Sequence, residues 1–95
     1  MSEEDINLTH IASHPIRYKI LSLLNDGKKP PYISQIAEKL EINNRLASFH
    51  LGVLRQHELA IGTWMVSEIP RSKGKAVKCF TITENAKRIL EKIES

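Results

Sequence analysis

Ile33-Ser34-Gln35-Ile36-Ala37-Glu38-Lys39-Leu40-Glu41-Ile42-Asn43-Asn44-Arg45-Leu46-Ala47-Ser48-Phe49-His50-Leu51-Gly52-Val53-Leu54-Arg55 is the stretch on which the fold turns. Ile36, Ala37 and Leu40 recur at helical spacing, and beyond Glu41-Ile42 so do Leu46, Ala47, Leu51 and Leu54. Ser34 is the expected cap of the first helix; the residue three places on is Ala37, so no full capping box forms there. Asn43 is the expected cap of the second helix, which runs to about His57. A break of about three residues between two such helices has the length of a helix-turn-helix connection.

Outward from this centre, Ile6, Leu8, Ile11 and Ala12 predict a short first helix. Ser13-His14-Pro15 resets the chain, because proline suits a first helical turn and disfavours helix just before itself. Ile16, Ile20, Leu23 and Leu24 predict a helix from Pro15 to about Asn25, closed by Gly27, with Lys28-Lys29-Pro30-Pro31 as a stiff loop. Past Glu58 the pattern turns to strand. Thr63, Trp64, Val66 and Ile69 mark a strand over 61–69, Pro70 to Lys75 a turn, and Ala76 to Ile82 a returning strand with Phe80 and Ile82 on one face. Thr83 caps a last helix carrying Ala86, Ile89, Leu90 and Ile93. The expected fold is mainly α with a small β-hairpin, a winged helix-turn-helix in one domain over residues 1–95.

Three segments, in order, carry a family likeness. Ser48, His50, Leu51 and Leu54 match the S-x-H-L-x-x-L recognition-helix pattern of ArsR-type winged-helix repressors, which the whole quoted stretch resembles. Ser13-His14-Pro15-Ile16-Arg17 followed by Ile20-Leu21 resembles that family's early helix. Phe80-Thr81-Ile82-Thr83-Glu84 is similar to the wing's end in the same family and in MarR-like relatives. The likeness implies a regulator of transcription. Two departures stand out: Glu41 occupies a turn position where glycine is often found, and the cysteine pair of the ArsR-type metal sensors is missing. A left-handed Glu41 would cost on the order of 1–2 kcal/mol.

The residues argue the same way without the likeness. With Leu46, Ala47, Leu51 and Leu54 inward, Asn43, Asn44, Arg45, Ser48, Phe49 and Gly52 point outward. Asparagine can pair with adenine and arginine with guanine, and no acid lies between Ile42 and His57. The expected DNA contacts from this helix, about 43–57, are Asn43, Asn44, Arg45, Ser48, Phe49, His50 and Arg55 in a major groove. Asn43 is equally a helix cap, His50 a packing residue near the groove, and Phe49 a contact for thymine methyls or for another protein. Gly52 weakens the helix and lets a backbone approach. The hairpin tip, about 69–78, adds Arg71, Lys73, Lys75 and Lys78 for the backbone or minor groove.

The chain has 95 residues, 41% hydrophobic and 26% charged, with a formal charge of +3. So small a domain has a modest core, and pairing with a second copy would enlarge it. The expected homodimer joins first and last helices through Ile6, Leu8, Ile11, Ile89, Leu90 and Ile93. The partners are thus double-stranded DNA, with half-sites about 34 Å apart, and a second copy of the chain. No effector is legible. The acidic start Glu3-Glu4-Asp5 is not a secretory signal, and no apolar run approaches the ~20 residues of a membrane span. A cytoplasmic, nucleoid-associated protein is expected. Cys79 is alone and reads as packing; His10, His14, His50 and His57 share no metal-ligand spacing, so no metal or cofactor is expected. Glycine-rich phosphate loops and nucleophile elbows are absent, which argues against an enzyme. Two alternatives remain: a protein-interaction module of a transcription complex, using Phe49 and Trp64, and a constitutive architectural DNA-binding protein.

Overall fold

A computed structural model describes residues 2–67 and 73–95, and in it the expected elements appear in the expected order. They are α1 (Glu3–Ala12), α2 (Pro15–Asp26), α3 (Ile33–Leu40), α4 (Asn44–Gln56), β1 (Ala60–Val66), β2 (Ala76–Ile82) and α5 (Glu84–Glu94).

Local chemistry sets most of the boundaries. Ser2 caps α1 by accepting from the Asp5 N–H at 3.1 Å, and Glu3, Glu4 and Asp5 place negative charge at the helix's positive end. His14 caps α2 through Nδ1, which accepts from the Ile16 N–H at 3.2 Å, and Pro15 fills the first turn. Gly27 closes α2 in an extended conformation (φ −76°, ψ 144°), so it is a stop but not a left-handed cap.

The cap of α3 differs from expectation. Tyr32, not Ser34, is the capping residue, and Ser34 lies inside the first turn. The prolines carry the chain in extended form alongside β2: the Pro31 carbonyl accepts from the Phe80 N–H at 3.1 Å, and Tyr32 bridges to Cys79. With its backbone held there, Tyr32 enters the helix, and the Gln35 side chain accepts from the Tyr32 N–H at 2.9 Å. That is the returning half of a capping box, supplied by glutamine alone.

Both helices of the central motif end in the same way. Glu41 is left-handed (φ 56°, ψ 43°), and Ile42 N–H reaches back to the Ala37 carbonyl at 3.0 Å. Glu58 has φ 58°, and Leu59 N–H reaches the Leu54 carbonyl at 2.8 Å. These are the long-range bonds of a Schellman stop, made with glutamate where glycine is commoner. Asn43 then caps α4 as expected, its Oδ1 accepting from the Leu46 N–H at 2.8 Å.

The hairpin pairs β1 with β2 in antiparallel register from Ala60 opposite Ile82 to Val66 opposite Ala76. The first strand begins one residue before its expected start and ends at Val66; Ile69 lies outside the described residues. Thr83 caps α5 by accepting from the Ala86 N–H, and its hydroxyl donates to the Glu58 carbonyl at 2.9 Å, which ties the end of the motif to the last helix.

One core joins all the helices to the hairpin: Leu8 and Ala12 from α1, Ile20, Leu21 and Leu24 from α2, Ile36 from α3, Leu51 and Leu54 from α4, Phe80 from β2, and Ala86, Ile89 and Leu90 from α5. Of the residues expected at a dimer face, Leu8, Ile89 and Leu90 are buried in the chain's own core. The reason is that α1 and α5 pack on each other within one chain, so the apolar stripes of both turn inward. Of the six residues expected at that face, Ile6 is 44% exposed, while Ile11 and Ile93 are partly buried at the core's edge.

Candidate nucleic-acid interface

On α4 the core takes Ala47, His50, Leu51 and Leu54, and the opposite side is left to solvent. Asn44, Arg45, Ser48, Phe49, Gly52 and Arg55 are all exposed, Phe49 to 61%. Their spacings of three and four residues stack them on one side of the helix. Asn43 is exposed too, but its side-chain oxygen is engaged in the cap.

Gly52 is open: a Cβ built there would meet nothing within 4 Å. Packing within the chain therefore does not require glycine, although glycine costs a helix roughly 1 kcal/mol against alanine. A groove of about 710 Å³ begins at Gly52 and Arg55 and is lined across from them by Ile61 and Gly62 of β1, so the exposed side of α4 is continuous with the base of the hairpin.

In the hairpin, Lys73 and Lys75 are exposed. Lys78 is half-buried; its Nζ lies 5.8 Å from the ring centroid of Trp64, its cross-strand partner, which is itself 68% exposed. That is the separation at which a cation gains from the face of an indole ring. The expected contact Arg71 lies outside the described residues.

His50, expected both among the DNA contacts and as a packing residue near the groove, is only 5% exposed and lies on the buried side of its helix. Helical geometry explains this: residue 50 sits three after Ala47 and four before Leu54, on the buried stripe. Its ring lies 4.7 Å from the ring of His14, tilted by 37°, and meets the edge of Phe49 at 5.1 Å. Burial pushes the His50 pKa below its ordinary value, and the neighbouring His14 and Arg17 push it the same way. The pair brings together residues 14 and 50, each quoted above in a separate motif; nothing in either motif signals the contact.

Cys79 is buried and its thiol is pushed up by that burial. Among the described residues no group of three or more His, Cys, Asp or Glu side chains is placed to hold a metal ion. Among them, too, no helix is long and apolar enough to cross a membrane.

Compared with known families, residues 12–62 match a helix-turn-helix domain. The chain belongs to that helix-turn-helix family. The match runs from the end of α1 through α2, α3 and α4 into β1, and so contains the whole exposed side of α4. No curated protein matches this helix-turn-helix chain. Solved structures do. It is similar to the diamide-treated YodB from Bacillus subtilis, at 18% identity over 99% of this chain and 89% of that one, with a TM-score of 0.75. It is similar also to the transcriptional repressor BigR from Xylella fastidiosa, at 23% identity over 88% and 74%, with a TM-score of 0.67. A third is the homodimeric winged helix-turn-helix DNA-binding domain (fragment 1–100) of Mb0332 from Mycobacterium bovis, a possible ArsR-family regulator. There the identity is 20% over 99% and 84%, with a TM-score of 0.69. At these identities the likeness establishes the fold: a winged helix-turn-helix, with the β1–β2 hairpin as the wing.

Proposed function

We propose that this helix-turn-helix protein binds double-stranded DNA in a sequence-specific way as a homodimeric transcriptional regulator of the cytoplasm. In this reading α4 enters the major groove, with Asn44, Arg45 and Ser48 toward base edges and Arg55 toward phosphate. The wing lies along the backbone or minor groove, and Arg71, Lys73, Lys75 and Lys78 neutralise phosphate charge. The observation that carries it is the exposed side of α4. It bears polar and basic residues and an unobstructed glycine, holds no acid, and borders a hairpin whose tip is lysine-rich. The second copy joins through α1 and α5, on the surface left around Ile6, Ile11 and Ile93. Mb0332, which shares the fold, is described as homodimeric, and this supports the pairing.

A second reading has one observation in its favour. Phe49 and Trp64 are large, apolar and mostly exposed, as a protein-docking face would be. Binding to a labelled random-sequence duplex separates the two. DNA binding predicts an affinity at low salt that falls steeply as salt rises, with a slope of about 0.9 in log–log terms per phosphate contacted. No binding at low salt would defeat the proposal and favour the docking face. Selection of bound sites from a random pool then gives the sequence preference; a pool returned without enrichment would point to an architectural protein instead.

A further inference from the structure

His14, the cap residue of α2, and His50 of α4 meet beneath the exposed side of α4. Their ring centroids are 4.7 Å apart, and His50 is almost fully buried. The two rings are held unequally. His14 Nδ1 is committed as the acceptor for the Ile16 N–H, so its neutral form carries the proton on Nε2. His50 Nδ1 is buried with no hydrogen-bond partner, and so is Nε of Arg17 one turn along α2.

The surroundings of the pair are cationic. The charges acting on the His50 ring are those of His14 and Arg17, both from the start of α2. The other elements packed on α4 are α3 and β1. Neither presents a charge that acts on the ring, since α3 carries Glu38 and Lys39 in exposed positions and β1 has no charged residue. An imidazolium at residue 50 would therefore meet the Arg17 cation and, among the described residues, no carboxylate. Both of its ring nitrogens would be donors, and the buried Nδ1–H would have no acceptor.

We propose that the His14–His50 contact is a proton-sensitive joint that positions the exposed side of α4 on α2. With both rings neutral they pack as a tilted pair and hold α4 in place. A proton taken up from solvent by His50 adds a cation to a pair with no counter-charge, and the joint relaxes by letting α4 move away from α2. His50 is thus a positioning residue, acting on DNA through the helix that carries it; this inference rests on the DNA-binding reading above.

The test uses the full chain and a labelled duplex recovered from a random pool, at constant ionic strength, between pH 7.5 and 5.5. Wild-type affinity is expected to fall by threefold or more, within a ceiling of about tenfold per pH unit for one proton. Circular dichroism should show the helices intact throughout. His14→Asn retains an acceptor for the Ile16 N–H but does not titrate, and His50→Gln removes the buried titrating ring. Referred to its own affinity at pH 7.5, each variant should change by less than twofold. Equal pH dependence in all three proteins, a wild type that binds more tightly in acid, or global unfolding across this range would overturn the joint. A second readout is independent of DNA. In the free protein the backbone amide resonances of α4 should titrate with the midpoint of the His50 ring, and His14→Asn should abolish that. If no duplex binds at any pH, the DNA-binding reading fails and these resonances decide the joint alone. Static resonances in the wild type refute it.

Discussion

Gly52 and Arg45 separate what the chain needs in order to fold from what it needs in order to bind. Gly52→Ala adds a methyl group that touches nothing in the protein, so the helix should gain roughly 1 kcal/mol, visible as a higher urea midpoint with unchanged slope. If the glycine is there to let DNA close in, the same variant loses affinity while gaining stability. A variant that gains stability and binds as before would show that the glycine serves no interface. Arg45 makes the complementary case. It is exposed and has no hydrogen-bond or ion-pair partner among the described residues, so Arg45→Ala should leave stability within about 0.5 kcal/mol of the parent. A bidentate contact to a base would cost about 1–3 kcal/mol of binding and relax preference at one base-pair position. Uniform weakening across all sequences would reassign Arg45 to phosphate.

In the proposed DNA complex the wing and the helix-turn-helix would do different work, and salt would distinguish them. Lys73 and Lys75 are exposed at the hairpin tip, where phosphate contact would set affinity but not sequence choice. Replacing both with alanine should lower the salt slope by about 1.8, two phosphates' worth, and leave the selected sequence unchanged. A slope equal to the parent's would remove the wing from the interface. Elements were also the scale at which the sequence was most legible. Leu46, Ala47, Leu51 and Leu54 repeat with the helix period, and Asn43 and Thr83 are caps whose bonds are local, so α4 and α5 could be placed closely. The same local reasoning failed at Ser34. The entry to α3 is decided by Tyr32 bridging to Cys79, 47 positions away, and no local pattern encodes that. His50 was half legible: it was expected both as a DNA contact and as a packing residue near the groove, and its spacing from Ala47 and Leu54, which would have put it on the buried stripe, was not used.

At the scale of the molecule, the two ends of the chain are tied together by a feature invisible in the sequence. Arg88 grips Asp5 with two hydrogen bonds of 2.9 Å and Lys92 adds a third at 2.8 Å, joining α5 to α1. The bonds from Arg88, then those from Lys92, hold the Asp5 carboxyl well below the usual carboxylate range. A carboxylate depressed in the folded state stabilises the fold above its unfolded value of 3.8, and that contribution is lost as pH falls through and below this value. Asp5→Asn should therefore be less stable than the parent near neutrality, and the gap should shrink as the solution is acidified below about pH 4. A gap that stays constant down to pH 2 would show that the charge is not what matters. In the proposed dimer the same helices would meet a second copy with less apolar surface than their sequences advertise, since Leu8, Ile89 and Leu90 lie in the chain's own core. What is left centres on Ile6, which is exposed and dispensable to the core, so Ile6→Asp should keep the monomer's fold while placing a charge where the second copy would press. Light scattering should then report a monomer at concentrations where the parent is dimeric. The affinity for a two-half-site duplex should drop toward that for a single half-site, because the second contact no longer comes at high effective concentration. If Ile6→Asp remains a dimer with full affinity, the copies meet on another face, and the exposed Trp64 strand becomes the next surface to test.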